Sequence, residues 1–160
     1  MWNPFEFRGM DLRRFTLKKM DPKDLDEVLS IATSSPNPWS KNMFTEEMRN
    51  PFSHCFVMNV EEISKHQLVG LICFRNLEDE SELLNICVHP QYRQLGIGKK
   101  LMNFYINFCC QISIKTFHLE VNVSNHPAIR LYQLFSYQSV EVRKKFYEGR
   151  FDALRMTKKV

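Results

Sequence analysis

The chain has 160 residues, 44% hydrophobic and 25% charged, which fits one globular domain and excludes a disordered or fibrous protein. No apolar run approaches the roughly 20 residues of a membrane helix, and a net charge of +4 is too mild to imply nucleic acid, though it suits a small anionic ligand. Five cysteines, an odd number without a C-x-x-C, predict reduced thiols in a cytoplasmic protein, and no histidine pairs with them at zinc-ligand spacing.

Residues 1–10, MWNPFEFRGM, lack the charged start and apolar stretch of a secretory signal. Residues 1–11 read as an aromatic N-terminal arm on a single domain spanning 1–160. Residues 12–20, LRRFTLKKM, predict a strand. DPKDLDEVLSIA follows with Asp21 as N-cap, Pro22 at the first helical position, and Leu25, Val28, Leu29 and Ala32 on one face. A loop broken by Pro36 and Pro38 precedes a second short helix that Ser40 would cap, carrying Met43, Phe44 and Met48.

Three apolar, β-branched runs, HCFVMNV, QLVGLICF and ELLNICV, predict an antiparallel meander. A helix beginning near Gly98 carries Leu101, Tyr105, Phe108 and Ile112 as its apolar stripe. TFHLEVNV then alternates, with Phe117, Leu119, Val121 and Val123 on one face and His118, Glu120 and Asn122 on the other. A helix from about Pro127 presents Ala128, Leu131, Tyr132 and Phe135, and two closing strands are joined by a turn at Glu148 and Gly149. The order is a strand, two helices, three strands, a helix, a strand, a helix and two strands, a mixed α/β fold. The strand-helix-strand unit over residues 83–123 favours a parallel pair.

RQLGIGKKL, residues 93–101, joins the last meander strand to the following helix. It is not a Walker A loop, because Arg93 stands where the first glycine belongs and Lys100 where the magnesium-binding hydroxyl belongs. It is not a dinucleotide fingerprint, because the third glycine is Leu101. What remains is a glycine loop at a helix N-terminus, where outward amides and the helix dipole favour an anion. A plain strand-to-helix turn would use the same glycines.

Other candidates are ambiguous on the residues alone. Glu120, polar in an apolar strand, faces either solvent or a cleft. Tyr132 shares a helical face with Ala128 and Phe135, as a core aromatic would. Asn125 can cap the helix that follows it. Cys87 is either a small apolar strand residue or a thiol that takes an acyl group first, with ping-pong kinetics.

NICVHPQYRQLGIGKKLM resembles the acetyl-CoA loop of the GNAT superfamily of acetyltransferases, whose [RQ]-x-x-G-x-[GA] pattern Arg93 to Gly98 match in full. LEVNVSNHPAIRLYQLF is similar to the rest of that family's cofactor and catalytic region. PWS at Pro38 to Ser40 and VRKKFYEGRFDALRM resemble the ribosomal-protein-alanine N-acetyltransferases within it, and archaeal N-terminal acetyltransferases are similar too.

The resemblance implies a GNAT fold and acetyl-CoA as cosubstrate, with no metal. Gln94, Leu95, Gly96, Ile97, Gly98 and Lys99 would hold its pyrophosphate on backbone amides. Ile86, Cys87 and Val88 would pair with the pantetheine arm, aided by Asn125, and a bulge there would present an oxyanion-binding amide near Val88. Glu120 would be the general base and Tyr132 the acid that protonates the departing thiolate. Trp39, Phe146 and Tyr147 would line the groove for the acceptor.

The implied acceptor is a protein N-terminus, the N-terminal alanine of a small-subunit ribosomal protein, with no direct contact to nucleic acid or membrane. The chain departs from the family pattern at the short YEGRFDAL loop, at Phe151 where a Glu is usual, and at Ser136-Tyr137 where Gly-Phe is usual. These departures leave the first-residue preference open to serine and methionine termini. An acetyltransferase acting on lysine side chains or small amines, and a non-catalytic acetyl-CoA-sensing module, are the alternative readings.

Overall fold

The computed structural model of the protein describes residues 14–62, 65–147 and 149–160. The expected N-terminal arm lies outside them, as do Glu148 of the expected closing turn and the side chain of Tyr147. Strand β1 (Arg14–Lys19) leads into a single 3-10 turn (Pro22–Asp24) and helix α1 (Leu25–Ala32). Asp21 and Asp24 form a reciprocal capping box there, each carboxylate accepting from the other residue's side of the turn. Helix α2 (Lys41–Arg49) starts where the Ser40 hydroxyl accepts from the Met43 amide.

Strands β2 (Ser53–Glu62), β3 (Lys65–Leu77) and β4 (Glu80–Val88) form the expected antiparallel meander. Helix α3 (Ile97–Gln111), strand β5 (Thr116–Asn122), helix α4 (His126–Leu134) and strands β6 (Gln138–Tyr147) and β7 (Phe151–Lys159) complete the order expected from the sequence. One seven-stranded sheet runs β1-β2-β3-β4-β5-β7-β6, with β4 and β5 its parallel pair.

Apolar side chains lie on both faces of the central strands, which is why their sequences are near-continuous apolar runs. On one face Phe15, Met58, Ile72 and Phe74 pack under Leu101, Met102 and Tyr105 of α3. On the other, Val57, Leu71 and Cys73 pack under Val28 and Ile31 of α1 and Phe44 of α2.

Three local expectations are corrected. Ile31 joins the buried face of α1, while Leu29 is only partly buried. Helix α3 begins at Ile97 and ends at Gln111, because Ser113 turns left-handed at φ 68°; Ile112 is therefore exposed, and Met102 and Cys109 complete the buried stripe. Val123 lies past the end of β5 and is exposed. Glu47 of α2 is buried because Arg75 of β3 grips both its oxygens and Ser53 donates to it.

Candidate active site

Strand β4 is the axis of the site. It pairs with β5 only from Glu80 to Leu83, opposite Thr116 to Leu119. Beyond Leu83 no strand of the described residues pairs with β4 on its β5 side. The ladder to β3 slips between Cys73 and Phe74, which pair with Asn85 and Leu83 and leave Leu84 as an extra residue. The bulge expected at residues 86–88 thus sits at Leu84, and Ile86 to Val88 pair regularly with Ile72 to Gly70. The physical reason is side-chain parity. Leu83, Ile86 and Val88 all pack on the α3 side and Cys87 on the α1 side, which strict alternation from Leu83 would forbid.

A cavity of about 800 Å³ opens beside the C-terminal half of β4. Its walls include Ile86, Cys87 and Val88, the loop at Gln94 and Gly96, and Ile97, Gly98 and Lys99 of the first turn of α3. Asn125, Ala128, Arg130 and Tyr132 close it from the side of α4, and Ser34 and Ser35 from the α1–α2 loop. Gln94 and Gly96 are left-handed, at φ 62° and 79°. Gly96 is the N-cap of α3 and has no side chain to offer, so no side chain caps the amides that follow. Arg93, Lys99 and Arg130 line the cavity and no Asp or Glu of the described residues does. Uncapped amides, a helix N-terminus and cations without a carboxylate suit a polyanion such as a pyrophosphate.

Gly70 lets this loop sit close to the sheet. A Cβ there would meet Leu101 Cδ1 at 3.2 Å and Ile97 Cγ2 and the Cys87 carbonyl at 3.3 Å. Arg93 then ties the loop to its surroundings, donating from Nη2 to Ser34 Oγ at 2.9 Å and from Nε to the Val88 carbonyl at 3.3 Å. Cys87 lies 2.9 Å from Ser35 Oγ and donates to Asn85 Oδ1 at 3.2 Å. Burial pushes its thiol pKa up, which disfavours the thiolate a covalent carrier would need.

A second cavity, about 340 Å³, lies at the other end of the same strand. Glu82, Leu83 and Leu84 of β4 line it, with Trp39, Met43, Phe146 and Glu120. Its charged lining is acidic, the opposite of the first cavity. Glu120 is about one-tenth exposed at its side chain. Its Oε1 accepts from Arg155 Nη1 at 2.9 Å and lies 3.4 Å from Arg143 Nε. Its Oε2 is buried and has no hydrogen-bond partner among the described residues.

A model of the Acetyltransferase (GNAT) family matches residues 25–137. The chain belongs to that family and is an acetyltransferase. A Bacillus subtilis protein provisionally named as a ribosomal protein bS18-alanine N-acetyltransferase is 33% identical to this GNAT chain over 82% of it and 85% of its own length. The Escherichia coli ribosomal protein bS18-alanine N-acetyltransferase is 26% identical over 88% of this chain and 95% of its own. The crystal structure of the E. coli ribosomal-protein-S18-alanine N-acetyltransferase superposes with a TM-score of 0.80 at 25% identity, covering 91% of this chain and 94% of that one.

In this GNAT domain every residue expected at the acetyl-CoA site lines the larger cavity except Leu95, whose side chain packs against the core. Trp39, Phe146 and Glu120 meet at the smaller one. Tyr132 is both a core aromatic, 6.0 Å from the Tyr137 ring, and a wall of the larger cavity. Asn125 caps α4, its Oδ1 accepting from the Ala128 amide at 3.3 Å. Sequence reasoning missed Arg130, the Ser34–Ser35 wall, Glu82 and Arg155. Only Glu82 carried a signal, as an acidic residue at the head of an apolar run.

Proposed function

We propose that this GNAT acetyltransferase transfers acetyl from acetyl-CoA to the free α-amino group of a protein N-terminus. The names of its relatives suggest the N-terminal alanine of a small-subunit ribosomal protein as the acceptor. The observation that carries the reading is the pair of cavities of opposite charge on one strand. The larger, cationic and rich in amides, suits the phosphates of coenzyme A. The smaller, acidic and aromatic, suits a peptide's ammonium end.

Acetyl-CoA, when bound, supplies an activated acyl group as a thioester. Gln94 through Lys99 and Arg130 hold the anionic end, and the open edge of β4 offers backbone groups to the amide-bearing arm. Trp39, Met43 and Phe146 enclose the first residues of the acceptor and exclude water. The Glu120 carboxylate, at the wall of the smaller cavity, takes a proton from the amine, directly or through a water. Its task is light, because a peptide α-amine has a pKa of about 7.7–8.0, against about 10.4 for a lysine side chain. Tyr132 supplies a proton to the leaving sulfur from the opposite cavity. Cys87, with its protonated thiol, takes no covalent part, so transfer is direct.

A thiol-release assay with acetyl-CoA and peptides differing at the first residue tests this. Release that requires a free α-amine is expected. Release with ε-amines alone assigns the enzyme to lysine side chains or small amines, and none with any amine beside intact acetyl-CoA binding assigns a sensor.

A further inference from the structure

Arg155 lies outside both cavities, yet its contact with the Glu120 carboxylate, at 2.9 Å, is shorter than that of Arg143, at 3.4 Å. The two residues are direct partners across the β5–β7 ladder, so the contact is set by strand register rather than by a flexible loop. The Arg155 side chain is 23% exposed, against 45% for Arg143, which divides its charge between Glu120 and Glu141 and lies 5.7 Å from the Phe146 ring. A glutamate carboxylate turns readily about its last torsion, and its two oxygens are otherwise equivalent. A guanidinium donating to Oε1 removes that equivalence.

We infer that Arg155 is a positioning residue, which holds Glu120 by Oε1 and so fixes the angle at which its carboxylate meets the acceptor amine. The inference rests on the reading of Glu120 as the general base. Arg155 lines neither cavity and acts through Glu120. A proton acceptor held at one angle meets the amine at once; one free to rotate must first be captured by it.

The test is a double-mutant cycle in the full chain, with Arg155→Met, Glu120→Gln and the pair, and with Arg155→Lys as the conservative variant. Arg155→Met should lower kcat on the order of 10–100-fold and leave the KM for acetyl-CoA unchanged. Arg155→Lys, which keeps a donor on a long stem, should restore most of kcat. In the Glu120→Gln background Arg155→Met should cost nothing more. Unchanged kcat in Arg155→Met overturns the inference, as does an equal further loss in the Glu120→Gln background, which would mark a structural role. If thermal melting shows that Arg155→Met does not fold, Arg155→Gln, which keeps a polar stem without the charge, carries the cycle: no loss, or a loss that is the same in both backgrounds, overturns the inference, and one confined to intact Glu120 supports it. Wild-type activity in Glu120→Gln removes the base reading itself, and the inference with it.

Discussion

Leu83 of β4 and Leu119 of β5 are the last partners of the parallel pair. Both are buried, so the strands are clamped up to this point and separate beyond it. The next residue on each strand, Leu84 and Glu120, lines the smaller cavity, and the continuation of β4 forms the floor of the larger one. The cleft is therefore a consequence of where strand pairing stops, and the Leu84 bulge falls at that same point.

Glu120→Gln keeps the shape of the side chain and removes its capacity to take a proton. Its kcat should fall by a factor of about 10²–10⁴. The acetyl-CoA dissociation constant, measured by calorimetry, should stay within about twofold, because the larger cavity does not include this residue.

Gly70→Val tests how the glycine loop is seated. A Cβ there already meets Ile97, Leu101 and the Cys87 carbonyl at 3.2–3.3 Å, and two further methyl groups cannot fit without lifting α3. The variant should lose about 1–3 kcal/mol of stability in urea titration. Acetyl-CoA binding should weaken more than acceptor binding does, because the displaced helix carries the loop.

Cys87→Ala should keep kcat close to wild type. Burial raises the thiol pKa, so the thiolate is scarce near neutral pH. Intact-mass analysis of wild-type protein mixed with acetyl-CoA alone should find no acetylated Cys87, and initial-rate patterns should intersect rather than run parallel. The exposed Cys110 should be alkylated well before Cys87.

Ser136 follows α4 in a left-handed conformation, at φ 67°. The family pattern has glycine there, the one residue without a steric penalty for it. Ser136→Gly should therefore stabilise the protein by about 1 kcal/mol, raising the melting temperature by a few degrees, and leave transfer kinetics unaltered.

Local patterning made much of this molecule legible. Alternation in TFHLEV located β5, and the capping residues Asp21, Ser40 and Asn125 were all visible before their helices. In the sequence the glycine loop pointed to coenzyme A only through its resemblance to a family, since the residues alone fit an ordinary strand-to-helix turn as well. What stayed hidden depends on partners far along the chain. The bulge at Leu84 arises from which core each β4 side chain must reach. Arg155 meets Glu120 across 35 residues of sequence through β5–β7 register, and Glu47 is buried because Arg75 of β3 reaches it.

The central claim is that an α-amine is the acceptor. It is tested most directly by incubating the protein with acetyl-CoA and a peptide carrying both a free N-terminal alanine and an internal lysine, then locating the acetyl group by fragment mass spectrometry. The account predicts acetyl on the N-terminal nitrogen, and its loss in Glu120→Gln. Acetyl on the lysine side chain, with the N-terminus left free, would contradict it.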